Sequence, residues 1–189
     1  MPGDRSQLAR FLPVTAGDLT RLNELANLPG IAEHFESIPP VPMESTQALW
    51  GHVQQGLVSL WTVRAVDGVV GGAGFYVQAP GTRLSHAATF FLYLDPAAWG
   101  QGIGTATLRF IEAEVRRRGF RRLDCMVAAT NPRAIRVYQK EGFEVEGIRR
   151  EAFCLDGRYE DLVLMGKILA GPNAAPIAGG AGGAPDPQA

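Results

Sequence analysis

Three glycines at alternate positions, Gly100, Gly102 and Gly104, separate an apolar segment from a helical pattern. Such a turn lets the backbone come close to a ligand, because glycine carries no side chain to hold the ligand away. The free N–H groups at the start of the following helix, together with its dipole, favour an anion and above all a phosphate. The sequence therefore predicts an α/β fold with a phosphate-binding turn between a strand and a helix.

Glycine-rich turns also occur in P-loops, in dinucleotide-binding fingerprints and where no ligand binds. A P-loop ends in Gly-Lys-Ser/Thr, and no lysine is present here, so we reject it. A dinucleotide-binding fingerprint has the spacing G-x-G-x-x-G, whereas this turn has G-x-G-x-G. Asp124 also stands at the start of the next predicted strand, where the ribose-binding acid belongs at the strand's end. A glycine turn that only reverses the chain stays open as the structural alternative.

A second motif occupies residues 131–143 and reads Asn-Pro-Arg-Ala-Ile-Arg-Val-Tyr-Gln-Lys-Glu-Gly-Phe. Asn131 and Tyr138 are seven residues apart, which is two helical turns, so they share a helix face with Ala134. The small Ala134 lets this helix approach a thin ligand arm. Alone, Tyr138 is more simply explained as a core aromatic whose hydroxyl finds a partner.

Together the two motifs resemble the Q/R-x-x-G-x-G/A loop and the N-x-x-A-x-x-x-Y-x-x-x-G-F signature of the GNAT superfamily of N-acetyltransferases. The resemblance covers roughly residues 87–169. Residues 144–147 and 157–161, and the Ser85-His86 pair, are similar to bacterial amino-acid, spermidine and ribosomal-protein-alanine acetyltransferases. One position departs: Trp99 stands where the family usually has Arg or Gln. This removes a charged side chain near the phosphates and leaves the backbone cradle intact.

The resemblance implies direct transfer of an acetyl group from acetyl-CoA (coenzyme A) to a primary amine, without a metal or an acyl-enzyme. The amine is an amino acid, a polyamine, a protein N-terminus or another small amine, and the sequence does not choose among them. A backbone N–H near Leu94 polarises the thioester carbonyl, and Tyr138 is the candidate general acid for the leaving thiolate. The implied cofactor-binding residues are Leu92, Tyr93, Leu94, Trp99, Gly100, Gln101, Gly102, Ile103, Gly104, Thr105, Asn131, Ala134 and Tyr138.

The general base is not assigned. Glu36, Glu44, His86 and Asp95 are conceivable, as is a chain of water molecules. Cys125 lies in an apolar strand and is interpreted as a small buried hydrophobe. The alternative function is a non-catalytic acetyl-CoA-binding sensor or interaction protein on the same fold, which Trp99 favours and the presence of both Asn131 and Tyr138 opposes.

Periodicity and turn signals give the element order β-α-α-β-β-β-α-β-α-β-β. The predicted strands cover residues 11–14, 59–66, 69–78, 87–94, 123–128, 143–155 and 158–169. The predicted helices cover residues 15–28, a segment from the N-cap Ser45 through residue 53, residues 102–118, and residues 132–141 with Asn131 as N-cap. Asp-Gly pairs at 67–68 and 156–157 predict two hairpins. The expected fold is the GNAT fold, a mixed and largely antiparallel sheet of about seven strands flanked by about four helices, with a splayed strand pair for the cofactor.

Residues 1–170 are predicted to form one acetyltransferase domain. Residues 171–189, with five Gly, four Pro and six Ala, predict a disordered tail. A formal net charge of −1 gives no bulk attraction to nucleic acid or to an acidic membrane. Two isolated cysteines and three scattered histidines suggest neither a zinc site nor a disulfide framework. The first residues do not resemble a signal peptide and no apolar run could span a membrane, so we expect a soluble cytoplasmic protein, monomeric or homodimeric.

Overall fold

Seven strands form one mixed sheet in the computed structural model, which describes residues 8–169. They are β1 (Arg10–Pro13), β2 (Val58–Ala65), β3 (Gly68–Val77), β4 (Ala87–Leu94), β5 (Arg122–Ala128), β6 (Glu144–Leu155) and β7 (Arg158–Ile168). The spatial order is β1-β2-β3-β4-β5-β7-β6, and only the β4–β5 pair is parallel. The predicted element order and the largely antiparallel sheet are confirmed. The tail predicted for residues 171–189 lies outside the described residues.

The four helices are α1 (Leu19–Ala26), α2 (Met43–Gln54), α3 (Ile103–Arg117) and α4 (Pro132–Lys140). The prediction that Ser45 caps α2 is wrong. The cap is the extended residue Pro42, whose carbonyl accepts the Ser45 N–H at 3.1 Å, so the helix begins earlier than the polar side chain suggested. The first predicted helix is also shorter than expected. It opens with a 3-10 turn in which the Asp18 carboxylate accepts hydrogen bonds from the Thr15 N–H and hydroxyl.

Both predicted Asp-Gly hairpins are present. In the first hairpin, Val66 and Asp67 form the turn, and Gly68 begins β3 with a φ of 110°. In the second, Asp156 and Gly157 connect β6 to β7 with φ values of 50° and 76°. Two successive residues with positive φ in the second hairpin form the tight turn that matches the right-handed twist of paired strands. The two hairpins flank the middle of the sheet and fix its antiparallel parts.

The parallel neighbours β4 and β5 are paired only from Ala87–Arg122 to Thr89–Asp124. Beyond Thr89, β4 stays bonded to β3 on its other side and continues to Leu94. β5 similarly stays bonded to β7 as far as Ala128. The two strands therefore diverge toward the glycine turn, and this gap is the splayed strand pair that was predicted.

Side chains alternate along β4 and contribute to the two faces of the sheet. Phe90 and Leu94 belong to the main core, with α3 and α4 packed on it. Phe91 and Tyr93 pack on the opposite side with residues of α1 and α2, around Leu22. Because β4 supplies both cores, the gap beside it is bordered by α4 on one face and by the α1–α2 region on the other.

Candidate functional site

The gap between β4 and β5 opens into a cleft of about 1640 Å³. Its walls include the glycine turn, α4, the facing sides of β4 and β5, and the segment that links α1 to α2, with further residues from α1, α2, β2 and β3. Most of the residues predicted to bind a cofactor line this cleft: Leu92, Tyr93, Leu94, Trp99, Gly100, Gly102, Gly104, Thr105, Asn131, Ala134 and Tyr138. Residues from the two sequence motifs thus meet in one place.

The start of α3 presents backbone donors that the helix itself does not use. Gly102 is the N-cap in the left-handed conformation, with a φ of 83°, and has no side chain to cap the helix. The first helical hydrogen bond runs from the Ala106 N–H to the Gly102 carbonyl, at 3.0 Å. The N–H groups of residues 103–105 therefore have no acceptor within the helix. Such an arrangement suits an anion, so the structure is consistent with the predicted phosphate-binding turn, which stays a prediction.

Space above the turn is open. A Cβ atom on Gly100 would meet nothing within 4 Å, and one on Gly104 would reach only the Leu94 side chain, at 3.6 Å. The two remaining predicted residues of the turn do not line the cleft. The Gln101 side chain donates to the Ala97 carbonyl at 2.9 Å, and Ile103 is buried in the main core. For these two residues, only backbone groups are left for a ligand.

Trp99 connects the glycine turn to the end of β4 by a hydrogen bond and also contacts a cation. Its indole N–H donates to the Leu94 carbonyl at 2.8 Å, and the Arg133 guanidinium lies 3.7 Å from the centre of its ring. A guanidinium over an indole face is a favourable cation–π contact. Trp99 stands where the family usually has a basic residue, and Arg133 of α4 supplies a positive charge over the Trp99 ring.

Sequence reasoning missed Arg133, because nothing in the spacing pairs residue 99 with residue 133. Arg136 and Lys140 also line the cleft from α4. Within residues 8–169, none of these three cations forms an ion pair. The signal that could have found them is the basic repeat on the second motif, at positions three and four residues apart.

The side of β4 that faces β5 has no strand partner after Thr89. Apart from the Leu94 carbonyl, which accepts the Trp99 indole N–H, the backbone N–H and C=O groups along residues 90–94 on that side are available to an extended ligand, which would bind as an added strand does. This open edge runs from the inside of the sheet to the glycine turn. It fits the pantetheine arm of coenzyme A, which carries two amides on a thin chain.

Asn131 caps α4 as predicted. Its side-chain oxygen accepts the Ala134 N–H at 3.1 Å, so the orientation of its amide is fixed by the helix start. The amide nitrogen is left as a donor for the cleft. Pro132 follows at the first helical position, where its missing N–H costs nothing.

Tyr138 is a buried aromatic that also reaches the cleft. Its ring stands edge-on to Phe90, with centroids 5.2 Å apart, and leans against Phe143. No described residue accepts a hydrogen bond from its hydroxyl. Burial, and to a lesser extent the neighbouring Cys125, raise the pKa of Tyr138. The hydroxyl therefore keeps its proton at neutral pH and has no internal acceptor.

Cys125 lies on β5 beside Tyr138 and is buried. Burial and the charge of Asp124 raise the pKa of its thiol. Because the thiolate is the nucleophilic form, a neutral buried thiol is a poor candidate for a covalent intermediate. This agrees with the prediction that Cys125 is a small buried hydrophobe.

Of the four conceivable bases, Glu36 lines the cleft and the other three do not. Glu44 is exposed in the first turn of α2. The His86 ring nitrogen lies 3.0 Å from the Arg83 carbonyl on the surface. Asp95 accepts the Ala97 N–H at 2.9 Å and pairs with an arginine of α1. The β6–β7 hairpin contributes no residue between 149 and 161 to the cleft walls.

The chain is similar to several known acetyltransferases. The model of the acetyltransferase (GNAT) family matches residues 24–143. An L-amino acid N-acetyltransferase of Escherichia coli is 33% identical over 108 residues, which are 56% of this chain and 66% of that protein. A ribosomal-protein-alanine N-acetyltransferase of Escherichia coli is 37% identical over 83 residues, which are 43% of this chain and 55% of that protein. Both alignments thus cover less than two thirds of the relatives' own length.

A solved structure shows the same fold. The spermidine N-acetyltransferase of Vibrio cholerae, in complex with CoA and spermine, has a TM-score of 0.77 and 21% identity, over 87% of this chain and 97% of that one.

Within residues 8–169, none of the helices has both the length and the apolar character to cross a membrane. In the same range, His, Cys, Asp and Glu side chains do not gather in groups of three or more that could hold a metal ion.

Proposed function

Because the chain belongs to the acetyltransferase (GNAT) family, we propose that it transfers an acetyl group from acetyl-CoA directly to a primary amine. The observation that carries this proposal is the continuity of the cleft. It leads from the open N-terminus of α3, along the unpaired side of β4, to the Tyr138 hydroxyl. By their names, two relatives act on L-amino acids and on an alanine of a ribosomal protein, and the structural neighbour holds spermine. All of these acceptors are amines.

The proposed cofactor site has three parts. The N–H groups at the start of α3 hold the pyrophosphate, and Arg133 adds the charge that the family usually places at position 99. The open side of β4 holds the amides of the pantetheine arm. The Asn131 amide donates to the same arm from the opposite side. Acetyl-CoA supplies the activated acetyl group as a thioester, and no metal is part of the proposal.

In the reaction, a carbon–nitrogen bond forms as the carbon–sulfur bond breaks. The amine gives up a proton, and the departing thiolate takes one. Tyr138 is the proposed donor of that proton, because its hydroxyl is neutral and has no other acceptor. A backbone N–H on the open side of β4, near Leu94, is the proposed donor to the carbonyl oxygen. Transfer is direct, because the Cys125 thiol is neutral and buried.

A cytoplasmic location is part of the same proposal. Cys125 and Cys154 are both free thiols, which suits a reducing compartment.

The contact between Arg133 and Trp99 weakens the case for a non-catalytic sensor. That case depended on the absence of a basic residue at position 99, and the Arg133 guanidinium provides a positive charge at the same place.

Two measurements test the function. Acetyl-CoA in excess should raise the melting temperature, because a ligand at 100 times its Kd stabilises the native state by about 2.7 kcal/mol. Release of free CoA thiol should then follow addition of a panel of primary amines. A saturating cofactor that leaves the melting temperature unchanged contradicts the cofactor site. A bound cofactor with no thiol release for any amine contradicts catalysis.

A further inference from the structure

Resting on the proposed function, we propose that the acceptor is an apolar primary monoamine. Its single ammonium group lies at Glu36, and its hydrocarbon part packs on the apolar side of the cleft formed by α2, β2 and β4. Polyamines, although they are the acceptors of a structural neighbour, are then poor substrates of this protein.

Solvent-exposed apolar side chains line the proposed acceptor end of the cleft, beside the polar Ser45, Thr46 and His52 of α2. Leu49 of α2, Val58 of β2 and Phe91 of β4 line it, and Leu57 and Tyr76 are 53% and 36% exposed within it. Exposed apolar side chains that line a concave surface mark a ligand contact rather than a solvated face. A hydrocarbon group placed there would remove this surface from water.

Charge on the two sides of the cleft is unequal. Glu36 is the only acidic side chain that lines the cleft among residues 8–169. The basic residues Arg133, Arg136 and Lys140 all come from α4, which packs on the other face of the sheet. A polyamine brings several ammonium groups, and each one beyond the first would find no second carboxylate on the cleft walls within residues 8–169. A second ammonium against the apolar part of the wall would lose some of its hydration without gaining an ion pair, which disfavours binding.

Glu36 lies on the segment that links α1 to α2, and it lines the cleft. Tyr76 lines the same cleft, and burial together with the negative charge of Glu36 raises the pKa of its hydroxyl. Within residues 8–169, Glu36 has no ion-pair partner of its own. An unpaired carboxylate on the cleft wall suits the ammonium group of an amine acceptor.

Two aromatic rings lie on the cleft wall next to the segment that carries Glu36. Phe35 stands edge-on to Tyr93, with centroids 5.1 Å apart, and both line the cleft. Phe35 precedes Glu36 directly, so this contact holds the backbone next to Glu36 beside the end of β4. The amine loses one proton to water in the open cleft before it attacks, and Glu36 holds the ammonium form until that proton leaves.

The test compares hexylamine with 1,6-diaminohexane, which have equal length and differ in one terminal ammonium group. Thiol release should give hexylamine a kcat/KM at least about tenfold higher, a difference of about 1.4 kcal/mol. Glu36→Gln should lower kcat/KM for hexylamine. The matched control Glu33→Gln changes an exposed carboxylate of the same segment that does not line the cleft, and it should leave both rates unchanged.

A second variant adds a second carboxylate to the cleft wall. Leu57→Glu, at a position that is already half exposed, should raise the rate with the diamine relative to hexylamine. Calorimetry of both amines against the protein saturated with CoA measures binding without the chemical step. Tighter binding of hexylamine that Glu36→Gln abolishes supports the inference even where thiol release is absent, and in that case it is the proposed function that fails. Equal or better use of the diamine, or equal binding of the two amines, overturns the inference and leaves the acetyltransferase proposal standing.

Discussion

At the scale of single residues, the Tyr138 ring and its hydroxyl have separate tasks. The ring belongs to the main core beside Phe90 and Phe143, and the hydroxyl reaches the cleft without an internal partner. We expect Tyr138→Phe to keep cofactor affinity and to lower kcat by about 100-fold, the lower end of what general acid catalysis contributes. A CoA thiolate is already a tolerable leaving group, which is why the loss should be at that end. Steady-state kinetics with an accepted amine, and calorimetry with CoA, measure the two quantities.

Tyr159→Phe is the matched control, because Tyr159 is 67% exposed on β7 and does not line the cleft. It should leave kcat unchanged. A Tyr138→Phe enzyme that turns over at the wild-type rate would return Tyr138 to a purely structural role. Since burial and Cys125 raise the pKa of Tyr138 above that of a free tyrosine, its proton should stay in place up to pH about 10. In the wild type, kcat should therefore show no alkaline loss from this group below that pH.

Arg133 is the second residue whose role depends on the site. The guanidinium over the Trp99 ring lies beside the glycine turn, where the phosphates are proposed to bind. We expect Arg133→Ala to weaken CoA binding about tenfold, because a hydrogen bond to a charged group contributes about 1.5–3 kcal/mol. The affinity lost should shrink at high salt, as an electrostatic contribution does. Calorimetry at two ionic strengths measures both effects.

Arg150→Ala removes an exposed arginine of the β6–β7 hairpin, outside the cleft, and controls for the change in net charge. It should leave CoA affinity as it is. Equal losses in the two variants would mean that Arg133 acts only through the protein's overall charge. A loss in Arg133→Ala that is the same at both ionic strengths would mean that packing on Trp99 matters more than charge.

At the scale of elements, the N-terminus of α3 carries the cofactor proposal. Gly104 is within the first turn of the helix and needs no positive φ, so a side chain there tests ligand space without backbone strain. Gly104→Val places a branched group over the free N–H groups of the helix start. We expect CoA binding to fall below detection by calorimetry while the circular dichroism spectrum stays unchanged.

Ala113→Val is the control for a β-branched residue in the same helix. Ala113 is exposed and lies far along α3 from the turn. Ala113→Val lowers helix propensity, whereas Gly104→Val raises it, so the control is the harsher test of helix stability. Its CoA affinity should be normal. Unchanged CoA affinity in a folded Gly104→Val protein would show that the pyrophosphate does not bind at this turn.

At the scale of the whole molecule, the described fold closes at the end of β7. Leu169 is buried in the main core, its N–H donates to the Arg121 carbonyl at 2.8 Å, and its carbonyl accepts from Arg116 at 3.0 Å. We expect deletion of residues 171–189 to change neither the melting temperature nor CoA affinity, because those residues offer few side chains that could pack. Scanning calorimetry with and without CoA is the measurement. A melting temperature lowered by several degrees would show that the segment docks on the domain.

The diverging strands are also a property of the whole sheet rather than of one element. β4 is held by β3 and β5 is held by β7, so each strand keeps a partner on its outer side while the inner sides separate. This is how a continuous sheet can leave unpaired backbone groups at its centre without leaving either strand loose. The cofactor is proposed to occupy that gap.

The sequence by itself determined the order of elements, the two Asp-Gly hairpins, the N-cap at Asn131 and the glycine turn. Each of these rests on local chemistry: a φ value that glycine or asparagine tolerates, a side-chain oxygen that accepts a backbone N–H, or a periodicity that matches one face. The start of α2 was predicted wrongly for the same reason. Ser45 is a good cap by type, but Pro42, with its fixed φ, begins the helix earlier.

Tertiary structure alone decided which distant residues meet. It placed Arg133 on Trp99, brought Glu36 but none of the other three conceivable bases to the cleft, and added apolar residues of α2 and β2 to the same walls. Contacts between residues far apart in the chain depend on how packed layers lie over one another, and no local propensity encodes that. The sequence therefore predicted the proposed cofactor side of the site, whose motifs are local, whereas the proposed acceptor side could be described only from the tertiary structure, which brings its walls together.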